Sequence, residues 1–164
     1  MHERKFSFWE SWSYRDLLPG LEYPGVYAIA RSTKRLAGRP FAWHPDIIYI
    51  GMTNGVSGLA GRLRQFDLTI NGDRLAHGGA DRVRLKYKSY ARLVAKLFVA
   101  VAPFRCCVTS GQPADLRKMG DVAQFEFYCF AEYVDRRCDK GRLPRFNDKL
   151  RSAKKSRLDA IRSA

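Results

Sequence analysis

Two short stretches, Gly25-Val26-Tyr27 and Tyr49-Ile50-Gly51, hold side chains able to work together on a phosphate. Each is a β-prone apolar run with a tyrosine and a glycine at its ends. A phenol titrates near ~10 in water, and a nearby cation or metal lowers that value until the oxygen can take a proton from an attacking water. The cation comes from Gly58-Leu59-Ala60-Gly61-Arg62-Leu63-Arg64, a helical segment that follows Tyr49 closely. Arg62 and Arg64 diverge by roughly 200° on a helix, so one faces the sheet edge while the other meets solvent or backbone. An inward guanidinium presents a fork of donors that matches a phosphate oxygen pair and the charge developing on it. Glu126 lies in Phe125-Glu126-Phe127-Tyr128-Cys129-Phe130, where an isolated carboxylate is costly unless a divalent cation or an arginine accompanies it.

Each of these residues also has a plainer reading. Tyr27 and Tyr49 suit a strand core, with their hydroxyls at its rim, and the arginines suit a solvated basic face. Arg62 lies one turn before Phe66, so the two share a helix face. Asn147 could hydrogen-bond the glutamate or a metal shell, or simply close an Asx-turn. Glu132, on a different helix face from Glu126, reads as an ordinary solvated carboxylate. Among His2, His44 and His77, the last is the best candidate because its Gly-rich loop follows the Arg62 helix. Arg64 and His77 are therefore auxiliary candidates. Asp67, Asp73 and Asp121 read as scattered caps or loop residues without the paired spacing of a two-metal site. Gly55, Gly58 and Gly61 lack the lysine-bearing strand–turn–helix pattern of a nucleotide loop, so ATP use is unsupported.

The elements that must position these groups follow from pattern and punctuation. Residues 26–30 and 47–50 read as adjacent antiparallel strands joined by a long basic hairpin connection over 31–46. Ser57 is placed to cap a helix reaching about residue 68. A second helix is expected over about 80–96. Residues 98–102 and 105–109 are β-prone on either side of Pro103, and at least one should complete the sheet. Asp121 is placed to cap a long helix running through 137. Residues 1–24 form an aromatic arm expected to pack across the domain, 25–147 the domain itself, and 148–164 a basic C-terminal helix.

Composition narrows the partners. The formal net charge is +14, from 30 Lys+Arg against 16 Asp+Glu, which predicts attraction to polyanions. Nucleic acid is the commonest such partner; an anionic membrane or a ribosomal surface is the rival. Hydrophobic residues at 46% and aromatics at 13% exclude a disordered basic chain. Arg31, Lys34, Arg35 and Arg39 in the connection, with Lys154 and Lys155 at the basic end, are the candidate DNA contacts. Cys106, Cys107, Cys129 and Cys138 contain no CxxC pair, so neither a zinc site nor a disulfide framework is expected. With no secretory signal and no apolar run long enough to span a bilayer, a soluble cytoplasmic protein is expected.

At these residues the chain resembles the GIY-YIG nuclease family. Gly25-Val26-Tyr27 resembles the first motif and Tyr49-Ile50-Gly51 matches the second. Leu59-Ala60-Gly61-Arg62-Leu63 resembles the helix with the essential arginine, and Glu126 the metal-binding glutamate. Gly141-Arg142-Leu143-Pro144-Arg145-Phe146-Asn147 resembles the closing segment with its asparagine. The resemblance implies an α+β fold with a small three-stranded antiparallel sheet flanked by helices. It implies metal-dependent hydrolysis of double-stranded DNA, with Mg²⁺ or Mn²⁺ held by Glu126. Tyr27 would help activate the water, Tyr49 would assist by hydrogen bonding, and Arg62 would steady the phosphate. Asn147 would tie the glutamate or the catalytic pocket in place. Three departures stand out. The motifs are separated by an inserted loop, and the family's usual His or Tyr one turn after the arginine is Phe66. Asn147 also lies far beyond Glu126, a spacing that leaves Glu132 as the rival metal ligand. Phe66 cannot relay a proton, which leaves a slower enzyme, a replacement by His77, or a DNA-binding protein that does not cut.

Overall fold

The computed structural model describes residues 5–73 and 77–149. Among them, a four-stranded antiparallel sheet in the order β1-β4-β2-β3 is formed by β1 (Glu10–Ser11), β2 (Gly25–Arg31), β3 (Ile47–Thr53) and β4 (Leu97–Pro103). The α+β class and the antiparallel 26–30/47–50 pairing agree with the sequence expectation, while the sheet has one strand more. The extra strand is only two residues long and pairs Glu10 with Val99 and Ser11 with Phe98. Two residues carry no readable periodicity, and it is the burial of Trp9 and Trp12 on either side that holds them against β4.

Helices cover both faces. On one lie α1 (Gly58–Asn71), α2 (Gly78–Lys86) and α3 (Tyr90–Val94); on the other lies α4 (Pro113–Asp135). The central strand β2 explains why residues 26–30 read as an unbroken apolar run. Tyr27 and Ile29 enter the core with Leu59, Leu63 and Phe66 of α1, while Val26, Ala28 and Ala30 enter a second core with Val122, Cys129 and Tyr133 of α4. A register shift opposite Ile29 and Ala30 inserts one residue into β3, so that neighbouring Ile48 and Tyr49 both join the α1 side. Such a bulge re-aims a side chain, here Ile48, while the regular pairing of Tyr27 with Gly51 and Ile29 with Tyr49 sets the two tyrosines diagonally on one face.

Several expected boundaries are corrected. Ser57 sits at the N-cap of α1 without a side-chain hydrogen bond. The helix instead donates its first free N–H groups to preceding carbonyls, Leu59 to Tyr23 at 2.9 Å and Ala60 to Leu21 at 2.8 Å. The expected 80–96 helix is broken at Tyr87–Ser89 positions because Ser89 starts α3, its hydroxyl accepting from Arg92 N at 3.5 Å. Of the two β-prone runs around Pro103, 98–102 joins the sheet in β4, as expected, and 105–109 forms no strand. The long helix begins at Pro113, not Asp121, since a proline at the first helical position has no N–H to leave unpaired.

Phe6 stacks on Phe41 with ring centroids 4.1 Å apart, and Phe41 also meets Trp9 at 5.2 Å and Trp43 at 4.9 Å. This aromatic seam pins the 31–46 connection while Lys34, Arg35 and Arg39 stay exposed. Asp67 is no loose cap. It lies within α1 and accepts from Trp12 Nε1 at 2.6 Å and from the Tyr90 hydroxyl at 2.9 Å, and it pairs with Arg15 at 3.1 Å. It thereby ties the arm, α1 and α3 together. The expected C-terminal helix, with Lys154 and Lys155, lies outside the described residues, as does His2.

Candidate active site

Tyr27 and Tyr49 stand on neighbouring strands with ring centroids 6.0 Å apart. Gly51 makes room for both: a Cβ there would lie 2.6 Å from the Tyr27 hydroxyl and 2.8 Å from the Tyr49 ring. Gly79, in the first turn of α2, does the same from the other side, because a Cβ would fall 2.3 Å from the Tyr49 ring. The glycines at 51 and 79 are therefore demanded by close approach.

His77 completes this cluster. It is buried, caps α2, and its ring meets those of Tyr49 at 5.5 Å and Phe66 at 5.0 Å. Nδ1 accepts the Ala80 N–H at 3.2 Å, and Nε2 lies 2.7 Å from the Tyr27 hydroxyl. A neutral imidazole has one donor and one acceptor. With Nδ1 accepting, Nε2 carries the proton and donates to the Tyr27 oxygen. Burial, reinforced by the Arg62 and Arg82 charges, lowers the His77 pKa to about 3, so the ring is neutral at physiological pH. The imidazole thus touches the fully buried Phe66, at the helix position where the family resemblance would place His or Tyr.

Burial pushes the Tyr27 phenol well above its ordinary range, and Tyr49 adds to that shift while Arg62 opposes it. Tyr49 is also raised by burial, with Arg62 opposing and Glu126 reinforcing. Hydrogen bonds therefore run from the Ala80 N–H to His77 and from His77 to the Tyr27 hydroxyl. Tyr27 is 0% exposed and Tyr49 9%, so the second phenol is the one nearer solvent.

Arg62 is half-buried on α1; it donates to Gln65 Oε1 at 3.1 Å while its Nε is buried without a hydrogen-bond partner. Its charge acts on Tyr27, Tyr49, His77 and Glu126 alike. Glu126, on α4, is half-buried; burial raises its carboxyl pKa and Arg62 opposes the rise. It makes no hydrogen bond or ion pair with a described residue, whereas Glu132 is exposed and paired with Arg136 at 2.8 Å. Arg64 is exposed and outside the cluster.

Asn147 does not reach the glutamate. Its Oδ1 accepts from Ile50 N at 2.8 Å and its Nδ2 donates to Ile50 O at 2.7 Å, while Phe146 N donates to Ile48 O at 3.0 Å. The closing segment covers the free edge of β3 and holds the strand that bears Tyr49. A carboxamide reproduces the donor–acceptor pair of a neighbouring strand, a pairing that spacing along the chain does not reveal.

Glu126 offers a partly desolvated, unpartnered oxygen pair, and no group of three or more ligating side chains exists among the described residues. Mg²⁺ commonly binds through one or two carboxylates and keeps several waters. No helix among the described residues is long and apolar enough to cross a membrane. Comparison with protein-family models, curated proteins and solved structures finds no match.

Proposed function

We propose that this protein is a metal-dependent endonuclease that hydrolyses DNA phosphodiester bonds through a GIY-YIG-type site. The observation that carries the proposal is the packing of Tyr27, Tyr49 and His77 into one cluster, ring centroids 6.0 and 5.5 Å apart, under the charge of the half-buried Arg62, which also acts on Glu126. A group with that position and an unused Nε suits the charge that develops on an attacked phosphate.

Tyr49, the less buried of the two phenols, meets the attacking water and orients it. The Tyr27 hydroxyl, held by His77 Nε2–H, stands behind Tyr49 as a positioning group. This exchanges the parts that resemblance alone assigns to the two tyrosines. Glu126 would hold the metal, which supplies charge at the leaving oxygen when bound. Asn147 keeps β3, and with it Tyr49, in register. A DNA-binding protein that does not cut is the second reading, favoured by Phe66 and by the upward shift of both phenols.

The test is cleavage of duplex DNA with Mg²⁺. Glu126→Gln should bind DNA and lose cleavage, Arg62→Ala should cut ~10²–10³-fold more slowly, and Tyr49→Phe should be slower than Tyr27→Phe. Wild-type rates in both the Glu126 and Arg62 variants would sink the site, and a wild type that binds DNA without cutting it would establish the second reading.

A further inference from the structure

A second cationic feature lies beyond this cluster. An open pocket of about 440 Å³ is lined by Arg31, Lys86, Tyr87, Lys88, Arg92 and Lys96 among others, and no acidic residue lines it. None of these five cations is ion-paired with a described residue. The Arg31 guanidinium is held over the Tyr87 ring at 4.4 Å, and its Nε is buried without a hydrogen-bond partner. Tyr87 is in turn seated against Phe146, ring centroids 6.1 Å apart. The pocket therefore combines one fixed, donor-rich plane with four long cationic arms, and it lacks a counter-ion of its own.

Its position is set by two independent elements. Arg31 follows Tyr27 and Ile29 on the same face of β2, and the β2–β4 register is unbroken to Arg31. Four strand residues place it ~13 Å from Tyr27. On the facing layer, α2 begins beside His77 and ends at Lys86; nine helical residues also span ~13 Å. In duplex DNA that distance corresponds to about four base-pair rises.

We infer that this pocket grips the sugar-phosphate backbone of the DNA within about four base pairs of the scissile bond. The inference rests on the nuclease reading for its register, but the pocket's affinity for a polyanion does not. Exposed, flexible lysines around a single fixed arginine suit a chain of phosphates more than one small ligand, for which convergent, pre-set donors are the rule.

The experiment uses the full chain and a duplex probe in EDTA, with cleavage measured separately in Mg²⁺. Lys88→Glu/Arg92→Glu changes two exposed side chains and should weaken duplex binding at least tenfold at 150 mM salt. It should also flatten the slope of log affinity against log salt by about two, and leave kcat at saturating DNA within about twofold. Unchanged affinity and slope would overturn the pocket and leave the nuclease reading intact. A weakened variant of a wild type that never cuts would overturn the nuclease reading and keep the pocket. Saturation by tripolyphosphate or ATP that the double variant abolishes, with duplex affinity unaltered, would mark a small-phosphate site and overturn the proposal. A wild type that binds no DNA would overturn both.

Discussion

The protonation state of His77 has a consequence measurable without any catalytic assay. Its pKa falls from about 6.5 in an unfolded chain to about 3 in the fold. Above pH 6.5 the imidazole is neutral in both states and contributes no pH dependence. Below it, the unfolded chain takes up a proton that the folded protein refuses, so stability falls as pH falls toward 3. The slope is about 1.4 kcal/mol per pH unit, and between pH 7.5 and pH 5 the loss amounts to about 2 kcal/mol. Urea unfolding of the wild type and His77→Gln at both pH values isolates this quantity. His44 and Glu126, whose pKa values are also shifted, titrate in both proteins and cancel in the comparison. Gln lacks the titration, so although less stable at pH 7.5 it should close about 2 kcal/mol of the gap at pH 5. A gap that stays constant within about 0.5 kcal/mol would show that His77 is not a buried neutral donor, and the hydrogen-bond direction at Tyr27 would fall with it.

Three further outcomes follow from the same geometry. Asn147→Ala removes both hydrogen bonds to Ile50 and should cost about 1–3 kcal/mol, with faster hydrogen exchange at the Ile50 amide; unchanged protection there would refute the edge clamp. Gly79→Ala places a methyl into the Tyr49 ring and should destabilise by about 1–3 kcal/mol, with altered Tyr49 fluorescence or aromatic NMR shifts; a neutral effect would mean that α2 does not press on that ring. Asp67→Ala strands the buried Trp12 N–H and should lower stability by about 2–4 kcal/mol in urea, since the Tyr90 and Arg15 contacts go too; a loss below 1 kcal/mol would refute its role as a tie.

Much of the site was legible because strand and helix periods act over a few residues. Tyr27 and Tyr49 sat in runs whose apolar character demanded adjacent strands, and Arg62 followed in a helix with apolar Leu59, Leu63 and Phe66 on one face. The register between the two tyrosines was not legible, since the partners, Gly51 for Tyr27 and Ile29 for Tyr49, are set by cross-strand pairing and not by spacing along the chain. Asn147 was read as a possible partner of Glu126, yet its amide meets a backbone 97 residues away in sequence. The Asp121 cap failed because Pro113 and a turn held by Asp115 begin the helix sooner; Asp115 accepts from Cys107 N at 3.0 Å and from the Ser110 hydroxyl.

Local chemistry, then, was written in the chain: residue type, period, and the surplus of positive charge depend on neighbours in sequence and on summed composition. Which phenol is the more buried, which nitrogen of His77 holds the proton, and which glutamate stands unpartnered were decided by the tertiary structure. Those properties arise from desolvation and from charges on other elements, and both are set only when distant segments close around the same few ångströms of space.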